Sequence, residues 1–434
     1  AIVDRHDQLR RARAPQLIVT VDNGISSIAG VAAAQAIGVP VLVTDHHLPG
    51  AQLPQAAAIV NPNLPGDPFP SKALAGVGVM FYLLLATRAA LRGDGWFSEP
   101  RAEPDLAVLL DLVAVGTVAD LVALDRNNRV LVDAGLRRIR SGRACAGIKA
   151  LFEVAGRDPG RACASDLGFA IGPRINAAGR LDDMAIGVQC LLSVDHGHAQ
   201  RLAAQLDGIN AERRELQASM TDEAAAILAA VHTPQSAPAG VCMFDPGWHP
   251  GVVGLVASRI KERLHRPVIA FAPATDGADE LRGSGRSIEG FHLRDALADV
   301  DALCPGLLTR FGGHAMAAGL SLPRAAYALF AQLFAEVAMR RLGDAVDDPR
   351  HWSDGELEPA DATLALADGL REAGPWGQAF PEPCFDGLFE VDAVRVVGVR
   401  HQRLHLRHAA CGTAVEAMHF GGVAEVHCLD RGTA

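Results

Sequence analysis

The sequence predicts an α/β fold in which a parallel sheet carries polar side chains at one edge. Two apolar, β-branched runs support this: Leu17–Val21, which predicts a buried parallel strand, is followed directly by Asp22, and Val39–Thr44 is followed directly by Asp45–His47. An alanine-rich helical segment, residues 25–37, lies between them. Strand, helix and strand of these lengths form a right-handed βαβ unit, whose parallel strands have their carboxyl ends at the same edge of the sheet.

Carboxylate and imidazole groups at this edge predict a metal site. Neighbouring strands lie about 4.8 Å apart, so Asp22 and His46 can reach one ion. Carboxylate plus imidazole without a thiolate suits Mn²⁺, Mg²⁺, Fe²⁺ or Zn²⁺. The alternative is that Asp22 caps the next helix and the histidines belong to a polar loop. Asp120, expected after a tight turn in Gly116–Asp120, is a candidate third group.

Composition limits the compartment and the partners. The 434-residue chain has a formal net charge of −10, and no apolar run reaches the length of about 18 residues that spans a membrane. The eight cysteines include no Cys-x-x-Cys pair, which predicts reduced thiols in a cytoplasmic protein. The negative charge argues weakly against a phosphate-binding coat, but it allows a nucleic-acid enzyme whose basic residues line a groove.

A long helix is expected to connect two compact regions. Residues 196–231 contain no proline and repeat apolar side chains at helical spacing. Beyond them, strands at Gly240–Phe244 and Pro267–Phe271 with a helix at Leu255–Leu264 predict a second α/β domain. The expected domains are the metal-bearing domain 1–195, the connecting helix 196–235, the second α/β domain 236–345 and a small β-barrel region 346–434.

The last region is predicted to form strands between Phe385 and Leu406. Within it Arg403, His405 and Arg407 alternate with leucines, so that one face is basic and the other apolar. Small OB-like barrels that bind single strands have such faces, and a merely solvated outer face explains the pattern equally well. The barrel is expected to be incomplete at the end of the chain.

The segment 172–180 is the first of three that suit phosphate. It places Arg174, Asn176 and Arg180 among small residues, where a guanidinium fork can reach a phosphate without crowding. An equally good alternative is a helix start whose arginines pair with Asp182 and Asp183.

Two further segments have glycines beside donor groups. Ser284 and Arg286 are two positions apart in a glycine-spaced strand, so they face the same way and could hold one phosphate. Gly312 and Gly313 would let backbone N–H groups approach an anion, to which His314 could also donate. A structural turn with a capping histidine is the competing interpretation of the last segment.

Four motifs together resemble the DHH phosphoesterase superfamily. They are Val21–Gly24, Asp45–His47, Gly116–Asp120 and Gly312–Gly319. The segment Arg174–Arg180, the glycine-spaced strand and the long helix make the chain similar to the RecJ branch, whose members are single-strand-specific 5′-to-3′ DNA exonucleases. The resemblance covers nearly the whole chain, and the order of the motifs is more specific than the triplet alone.

The resemblance implies a two-ion site for Mn²⁺ or Mg²⁺. Asp22 would bridge both ions, and His46 and Asp120 would complete one of them. His47 would contact the scissile phosphate, and Asp45 would orient the imidazoles.

The resemblance also implies the DNA contacts. Ser284 and Arg286 would hold the 5′-terminal phosphate, and His314 with its glycines would line the DNA path. The family's first motif, an acidic cluster on an earlier strand, does not precede Asp22, because Asp4 and Asp7 lie in a segment that predicts a helix. The chain is therefore expected to lack its amino end, and the other ligands of one ion are expected upstream of residue 1.

The expected function is metal-dependent hydrolysis of single-stranded DNA from its 5′ end, in DNA repair and recombination. A phosphodiesterase of short oligonucleotides or cyclic dinucleotides and a catalytically impaired single-strand-binding relative are the alternatives. The expected protein is a monomer with no membrane contact, and a single-strand-binding protein and a helicase are its candidate partners.

Overall fold

The structure, a computed structural model, describes residues 15–231, 238–275, 278–343, 352–358, 360–399, 401–409 and 411–423, without the side chains of 228–231. The chain divides into two compact units. The first comprises the described residues up to Arg143, Gly160–Gly168 and the described residues from 352 onward, and the second comprises Ala144–Pro159 and the described residues of Phe169–Arg350. The segment with Asp4 and Asp7 and the boundaries expected near 232–237 and 344–351 lie outside the described residues.

A parallel three-stranded sheet organises the first unit. Its strands are β1 (Ile18–Val21), β2 (Val41–Thr44) and β3 (Ala58–Val60), in the order β1-β2-β3. In the βαβ register Ile18 lies opposite Val41, and a helix, α1 (Ile28–Ala36), connects the two strands. The predicted βαβ unit is therefore confirmed.

The prediction that the first strand is buried is wrong. Val19 and Val21 are 42% and 48% exposed, because β1 lies at the edge of the sheet that the described residues form. The core of this sheet lies around β2, where Val41 and Val43 pack against Val31 and Ala34 of α1. The strand β2, which ends at the triplet, is therefore the more deeply buried of the two strands.

Three helices follow the sheet. They are α2 (Gly76–Gly93), α3 (Leu110–Ala119) and α4 (Arg126–Arg140). The predicted tight turn before Asp120 is wrong, because Gly116–Ala119 is the last turn of α3 and Asp120 is its C-terminal cap. An alanine and a valine beside a glycine continue a helix as readily as they form a turn.

The carboxy-terminal part of the first unit is an antiparallel sheet. Its described strands are β9 (Phe389–Val397), β10 (His401–His408) and β11 (Ala414–His419), in the order β11-β10-β9. The predicted basic face is neutralised in the structure, because Arg403 pairs with Glu416 at 2.5 Å and Arg407 pairs with Asp392. Acidic side chains on the neighbouring strands, which the alternation within β10 cannot reveal, provide these partners.

The second unit begins with helices and ends with a mixed sheet. The helices are α5 (Ala146–Val154), α6 (Gly172–Leu181), α7 (Ala185–Leu192) and α8 (His196–Val231). The prediction of one long helix is confirmed, and α8 packs along α5, α6 and α7. Its buried side chains include Ala199, Ala203, Leu206 and Met220. The helix is thus part of a packed layer rather than a bare spacer.

The mixed sheet has the strand order β4-β5-β6-β8-β7. The strands are β4 (Val241–Phe244), β5 (Val268–Pro273), β6 (Glu280–Arg286), β7 (Arg310–Gly313) and β8 (Ala317–Pro323). Only the pair β4–β5 is parallel; β5–β6, β6–β8 and β7–β8 are antiparallel. The helix α9 (Val253–Leu264) crosses between β4 and β5, as the sequence predicts for a second α/β domain.

Aromatic packing closes the other face of this sheet. The helices α10 (Leu293–Leu303) and α11 (Tyr327–Leu342) cover it. The ring of Phe330 stacks on Phe334 with a centroid distance of 6.0 Å and meets Phe271 edge-on at 5.6 Å. All three rings are buried, so this cluster holds α11 against β5. No described helix is both long and apolar enough to cross a membrane.

We predict that Gly135→Ala destabilises the first unit. Gly135 lies where α4 crosses α3, and an added Cβ would overlap the carbonyl oxygen of Leu110 and the side chain of Ala114. The free energy of unfolding in urea should fall by about 1–3 kcal/mol.

The matched control is Gly369→Ala, in the helix α12 (Leu364–Ala373) of the same unit. An added Cβ there meets nothing within 4 Å. This change should raise the free energy of unfolding by about 0.5–1 kcal/mol, because alanine loses less backbone entropy in a helix. Equal effects of the two substitutions would contradict the close crossing of α3 and α4.

Candidate active site

Asp22 stands in a strained turn at the end of β1. Its φ is 60°, in the left-handed region that a residue other than glycine enters at a cost. The helix α2 begins against this residue, and Gly76 makes the approach possible, since an added Cβ would overlap the side chain of Asp22. The amino end of a helix attracts negatively charged groups, and the carboxylate of Asp22 lies there.

Asp45 is the buried support of the triplet. Its side chain is 1% exposed, and Oδ2 accepts a hydrogen bond from the backbone N–H of Ile25 at 2.9 Å. Oδ1 accepts from the backbone N–H groups of His46 and His47 at 2.8 and 3.1 Å, and it lies 2.7 Å from Nδ1 of His47. Burial raises the pKa of Asp45, but these hydrogen bonds, led by Ile25, outweigh it and hold that pKa below its usual range.

Two asparagines hold the histidine loop from the other side. Nδ2 of Asn61 donates to the carbonyl oxygen of His47 at 2.8 Å, and Nδ2 of Asn63 donates to that of His46 at 2.6 Å. Oδ1 of Asn61 in turn accepts from the N–H of Asn63. Neither asparagine was predicted as a site residue. The Asn-Pro-Asn sequence directly after β3 could have indicated them, because asparagines often hydrogen-bond to loop backbone groups.

Three predicted ligands meet at Nε2 of His46. This atom lies 2.9 Å from Oδ1 of Asp22 and 3.4 Å from Oδ2 of Asp120. Ligand atoms of Asp22, His46 and His47 lie within 4.8 Å of one another. The convergence of Asp22, His46 and Asp120 predicted from the sequence is therefore present, although Asp120 reaches the site from the end of a helix.

The electrostatics of this cluster follow from two carboxylates around one imidazole. Burial lowers the pKa of His46, but the close approach of the Asp22 carboxylate and the negative charges of Asp120 and Asp45 raise that pKa by more, so the net shift is upward. Burial and the negative charge of Asp22 raise the pKa of Asp120, against the opposing effect of His46. A bound cation would replace the proton that these shifts favour on the cluster.

The residues present fit a divalent metal ion. Nε2 of His46 is buried and has no partner with hydrogen-bond geometry, although it lies close to two carboxylates. Carboxylate oxygens and an imidazole nitrogen are donors that Mn²⁺ accepts, and carboxylates suit Mg²⁺. Asp22, His46 and Asp120 would hold the ion.

A second candidate site lies in the second unit, around Ser284 and Arg286. As predicted, the two side chains share a face of β6, and Nη1 of Arg286 donates to Oγ of Ser284 at 3.1 Å. Gly254, in the first turn of α9, lies against them: an added Cβ would come within 2.7 Å of Oγ and 2.9 Å of Nη2. A hydroxyl and a guanidinium beside a helix amino end form a pocket for an anion.

Two more arginines add positive charge to this pocket. Burial lowers the pKa of Arg180. Burial and the positive charge of nearby Arg180 together lower the pKa of Arg286 and that of Arg213. Arg180 donates to the carbonyl oxygen of Gly251, and Arg213 donates to Asn210 and Gln217. These partners are neutral, so the positive charges are not cancelled by them. Sequence reasoning missed Arg213, since an arginine in a long helix gives no local signal.

The segment 172–180 forms the helix α6, as the alternative interpretation of this segment expected. Arg174 pairs with Asp207 at 2.8 Å and donates to the carbonyl oxygen of Ala170, so among the described residues it contacts these groups rather than Asp182 or Asp183. Asn176 is exposed on the same helix. Arg174 therefore fastens α6 to α8, and Asn176 and Arg180 are the members of this segment placed to meet a ligand.

Gly312 and Gly313 lie on β7, and His314 starts the hairpin to β8. Gly313 has a φ of 142°, and the N–H of His314 donates to the carbonyl oxygen of Ala317 at 2.8 Å. The structural turn predicted as the alternative is thus present, and His314 at its start is exposed.

A basic groove runs across the sheet from this hairpin. On the central strand β8, Gly319 lies between Ser284 of β6 and Gly312 of β7. Ser321 of β8 likewise lies between Arg282 of β6 and Arg310 of β7. Together with Pro250 and Val253 these residues line a cavity of about 420 Å³. Arg282 and Arg310 were not predicted, although Arg282 has the same period of two as Ser284 and Arg286.

Three family models match the chain. They are the DHH family N-terminal domain over residues 2–117, the DHHA1 domain over residues 236–339 and the RecJ OB domain over residues 353–433.

Named relatives and solved structures agree with these matches. The single-stranded-DNA-specific exonuclease RecJ of Salmonella typhimurium is 55% identical over 412 residues, which are 94% of this chain and 71% of that protein. The RecJ protein of Escherichia coli is also 55% identical, over 94% of this chain and 71% of its own length. The crystal structure of RecJ with Mn²⁺ from Thermus thermophilus superposes with a TM-score of 0.76 at 32% identity, over 96% of this chain and 58% of that one.

We predict that Gly76→Ala weakens metal binding by displacing Asp22. The added Cβ would overlap Cβ of Asp22 and lie 2.7 Å from its Cα, so that residue cannot keep its present position. Displacing a ligand should lower the affinity for Mn²⁺ by about 10-fold or more, measured by titration calorimetry.

Gly93→Ala, at the other end of the same helix, is the control. An added Cβ there meets nothing within 4 Å. Its affinity for Mn²⁺ should match that of the parent protein. If Gly76→Ala also binds Mn²⁺ normally, Asp22 is not a ligand in the position seen here.

Proposed function

The chain belongs to the RecJ family of DHH phosphoesterases, and on this basis we propose that it is a metal-dependent exonuclease that degrades single-stranded DNA from the 5′ end. The chain spans 71% of the length of its enterobacterial relatives and 58% of the T. thermophilus chain. The observation that carries the proposal is the meeting of Asp22 and Asp120 at Nε2 of His46.

The metal centre is proposed to cleave the phosphodiester bond. Asp22, His46 and Asp120 would hold Mn²⁺ or Mg²⁺ in a two-ion site, and a metal ion of this kind lowers the pKa of bound water and stabilises charge on the reacting phosphate. His47 would donate to a phosphate oxygen. Asp45 would keep that ring in place, because its Oδ1 lies 2.7 Å from Nδ1 of His47.

The anion pocket is proposed to select the chain end. A terminal phosphate carries more negative charge than an internal one, and Arg286 with Ser284, Arg180 and Arg213 offers a matching positive charge. A pocket that accepts only an end makes the enzyme an exonuclease, and a 5′ end sets its direction.

The basic groove is proposed to hold the nucleotides that follow. Arg282 and Arg310 would contact the backbone, while Gly312 and Gly319 leave room beside them. A positively charged groove that follows the backbone binds single strands without reading their sequence. His314, Gly313 and Asn176 are further candidate DNA contacts.

The domain boundaries and the biological setting of the protein are also proposals. We propose the domain boundaries 1–195, 196–235, 236–345 and 346–434, which the family matches at 2–117, 236–339 and 353–433 support. The protein would act as a cytoplasmic monomer in DNA repair and recombination, with a single-strand-binding protein and a helicase supplying its substrate.

We predict that His46→Ala abolishes Mn²⁺-dependent release of nucleotides from a labelled single strand. Loss of the nitrogen at which both carboxylates meet should reduce metal affinity by at least about 10-fold. The assay runs the single strand, a duplex and a dinucleotide in parallel.

The substrate preference decides between the alternative functions. Preference for the dinucleotide would favour a small-substrate phosphodiesterase, and binding of the single strand without Mn²⁺-dependent cleavage would favour a non-catalytic relative. Full activity of His46→Ala would contradict the metal assignment.

We predict that Arg286→Ala slows digestion of 5′-phosphorylated strands much more than that of 5′-hydroxyl strands. Only the phosphorylated end loses a charged partner, and a charge-assisted hydrogen bond contributes about 1.5–3 kcal/mol, or roughly 10- to 150-fold in rate. Initial rates at fixed salt measure the difference.

Arg310→Ala, at an exposed position of the groove, is the matched comparison. It should slow both substrates by the same factor, since it would meet the backbone rather than the end. Equal slowing of both substrates by Arg286→Ala would mean that Arg286 is a general backbone contact.

A further inference from the structure

We propose that Cys411, in the turn between β10 and β11, is a nucleophilic thiolate held by His408 and Glu356, and that it reacts with hydroperoxides to form a sulfenic acid. The site lies in the carboxy-terminal sheet and takes no part in the proposed hydrolysis. The proposal rests on the contact of Glu356 with His408 and of His408 with Cys411. A carboxylate, an imidazole and a nucleophile in this order form the arrangement that activates many enzyme nucleophiles.

The contacts run from a carboxylate through an imidazole to a thiol. Oε1 of Glu356 lies 2.8 Å from Nε2 of His408, and Nδ1 of His408 lies 3.2 Å from Sγ of Cys411. Sγ is also 3.2 Å from Oγ1 of Thr413. A carboxylate on one ring nitrogen favours a proton there and leaves the imidazole able to take the thiol proton on the other.

The backbone fixes this arrangement. The N–H of His408 donates to the carbonyl oxygen of Thr413, and the N–H of Gly412 donates to that of His408, so the turn is closed on both sides of Cys411. Gly412 has a φ of 72°, which a glycine adopts without strain. The ring of Phe389 meets the ring of His408 edge-on at 5.2 Å and limits its rotation.

The charges at the site favour the ion pair of thiolate and imidazolium. Hydrogen bonds from the side chain and backbone of Thr413, with the charge of His408, lower the pKa of Cys411. The hydrogen bond with Glu356 raises the pKa of His408. Asp386, whose carboxylate accepts a hydrogen bond from Ser353, also lines the cavity beside these residues.

A small apolar cavity adjoins the sulfur. Its volume is about 190 Å³, and Leu357, Phe385, Phe389 and Val415 contribute to its wall together with His408 and Cys411. A cavity of this size admits a small neutral reagent such as hydrogen peroxide or an alkyl hydroperoxide. Its apolar wall leaves the polar groups at its mouth as the hydrogen-bond partners of such a reagent.

Other described cysteines have surroundings that oppose reaction. Cys190 is buried, and its burial raises its pKa to about 11, while the thiol of Cys163 lies 3.2 Å from the carboxylate of Asp166. Burial likewise raises the pKa of Cys242. Cys384 is exposed, as is Cys411, and therefore serves as the internal reference for reactivity.

The proposed step balances without any further reagent. The sulfur of the thiolate attacks one oxygen of the hydroperoxide, so that an S–O bond forms and the O–O bond breaks. The leaving oxygen departs with the electron pair and takes the proton from the imidazolium of His408, giving water or an alcohol. The sulfur is oxidised by two electrons, the peroxide is reduced by two, and cysteine sulfenic acid results.

The test is the rate of alkylation by iodoacetamide at each cysteine, followed by mass spectrometry between pH 5.5 and 9. At pH 6.5 Cys411 should react about 3- to 10-fold faster than Cys384, because a larger fraction is thiolate although each thiolate is somewhat less nucleophilic. With hydrogen peroxide, dimedone should trap a sulfenic acid at Cys411 before Cys384.

Two variants separate activation from exposure. His408→Asn and Glu356→Gln should each move the alkylation profile of Cys411 to higher pH and leave that of Cys384 unchanged. Thermal melting of each variant checks that the sheet is retained. Equal rates at Cys411 and Cys384 at pH 6.5, or an unchanged Cys411 profile in His408→Asn, would overturn the proposal. Rapid alkylation without a dimedone adduct would overturn the assignment of hydroperoxide as the reactant.

Discussion

The metal centre depends on the hydrogen bonding of one buried carboxylate. Asp45 would be costly in the interior as a bare charge, and it is stable there because Ile25, His46 and His47 donate to its oxygens. The same bonds fix the backbone of both histidines and one ring. The hydrogen bonds that permit burial of Asp45 therefore also orient His47 and the backbone of His46, so the burial of Asp45 and the geometry of the triplet cannot be changed separately.

Both candidate sites hold like charges close together. Asp22 and Asp120 meet at the ring of His46, and Arg286 lies near enough to Arg180 for its pKa to be lowered by that charge. Like charges in a partly buried place repel, and a ligand of opposite sign removes that repulsion while it forms new contacts. A cation at the first site and an anion at the second are the ligands that these charges favour.

Several features were predictable because local pattern decides them. The βαβ unit with its triplet, the long helix His196–Val231 and the shared face of Ser284 and Arg286 follow from strand and helix periodicity. The turn before Asp120 and the basic face of β10 were wrong or incomplete predictions. Before Asp120 the local sequence was ambiguous, because small residues continue a helix as readily as they form a turn. In β10 the deciding partners lie elsewhere, because acids on the neighbouring strands neutralise the arginines.

The sequence by itself determined which groups stand at the ends of the first two strands, since a run of β-branched residues and the residue after it are neighbours along the chain. Only the tertiary structure decided what they meet. Gly76 against Asp22, Asp120 at the ring of His46 and Arg213 near Arg180 join residues that are distant in sequence. No periodicity encodes such contacts, because they arise when whole helices pack and bring side chains from separate elements to one point.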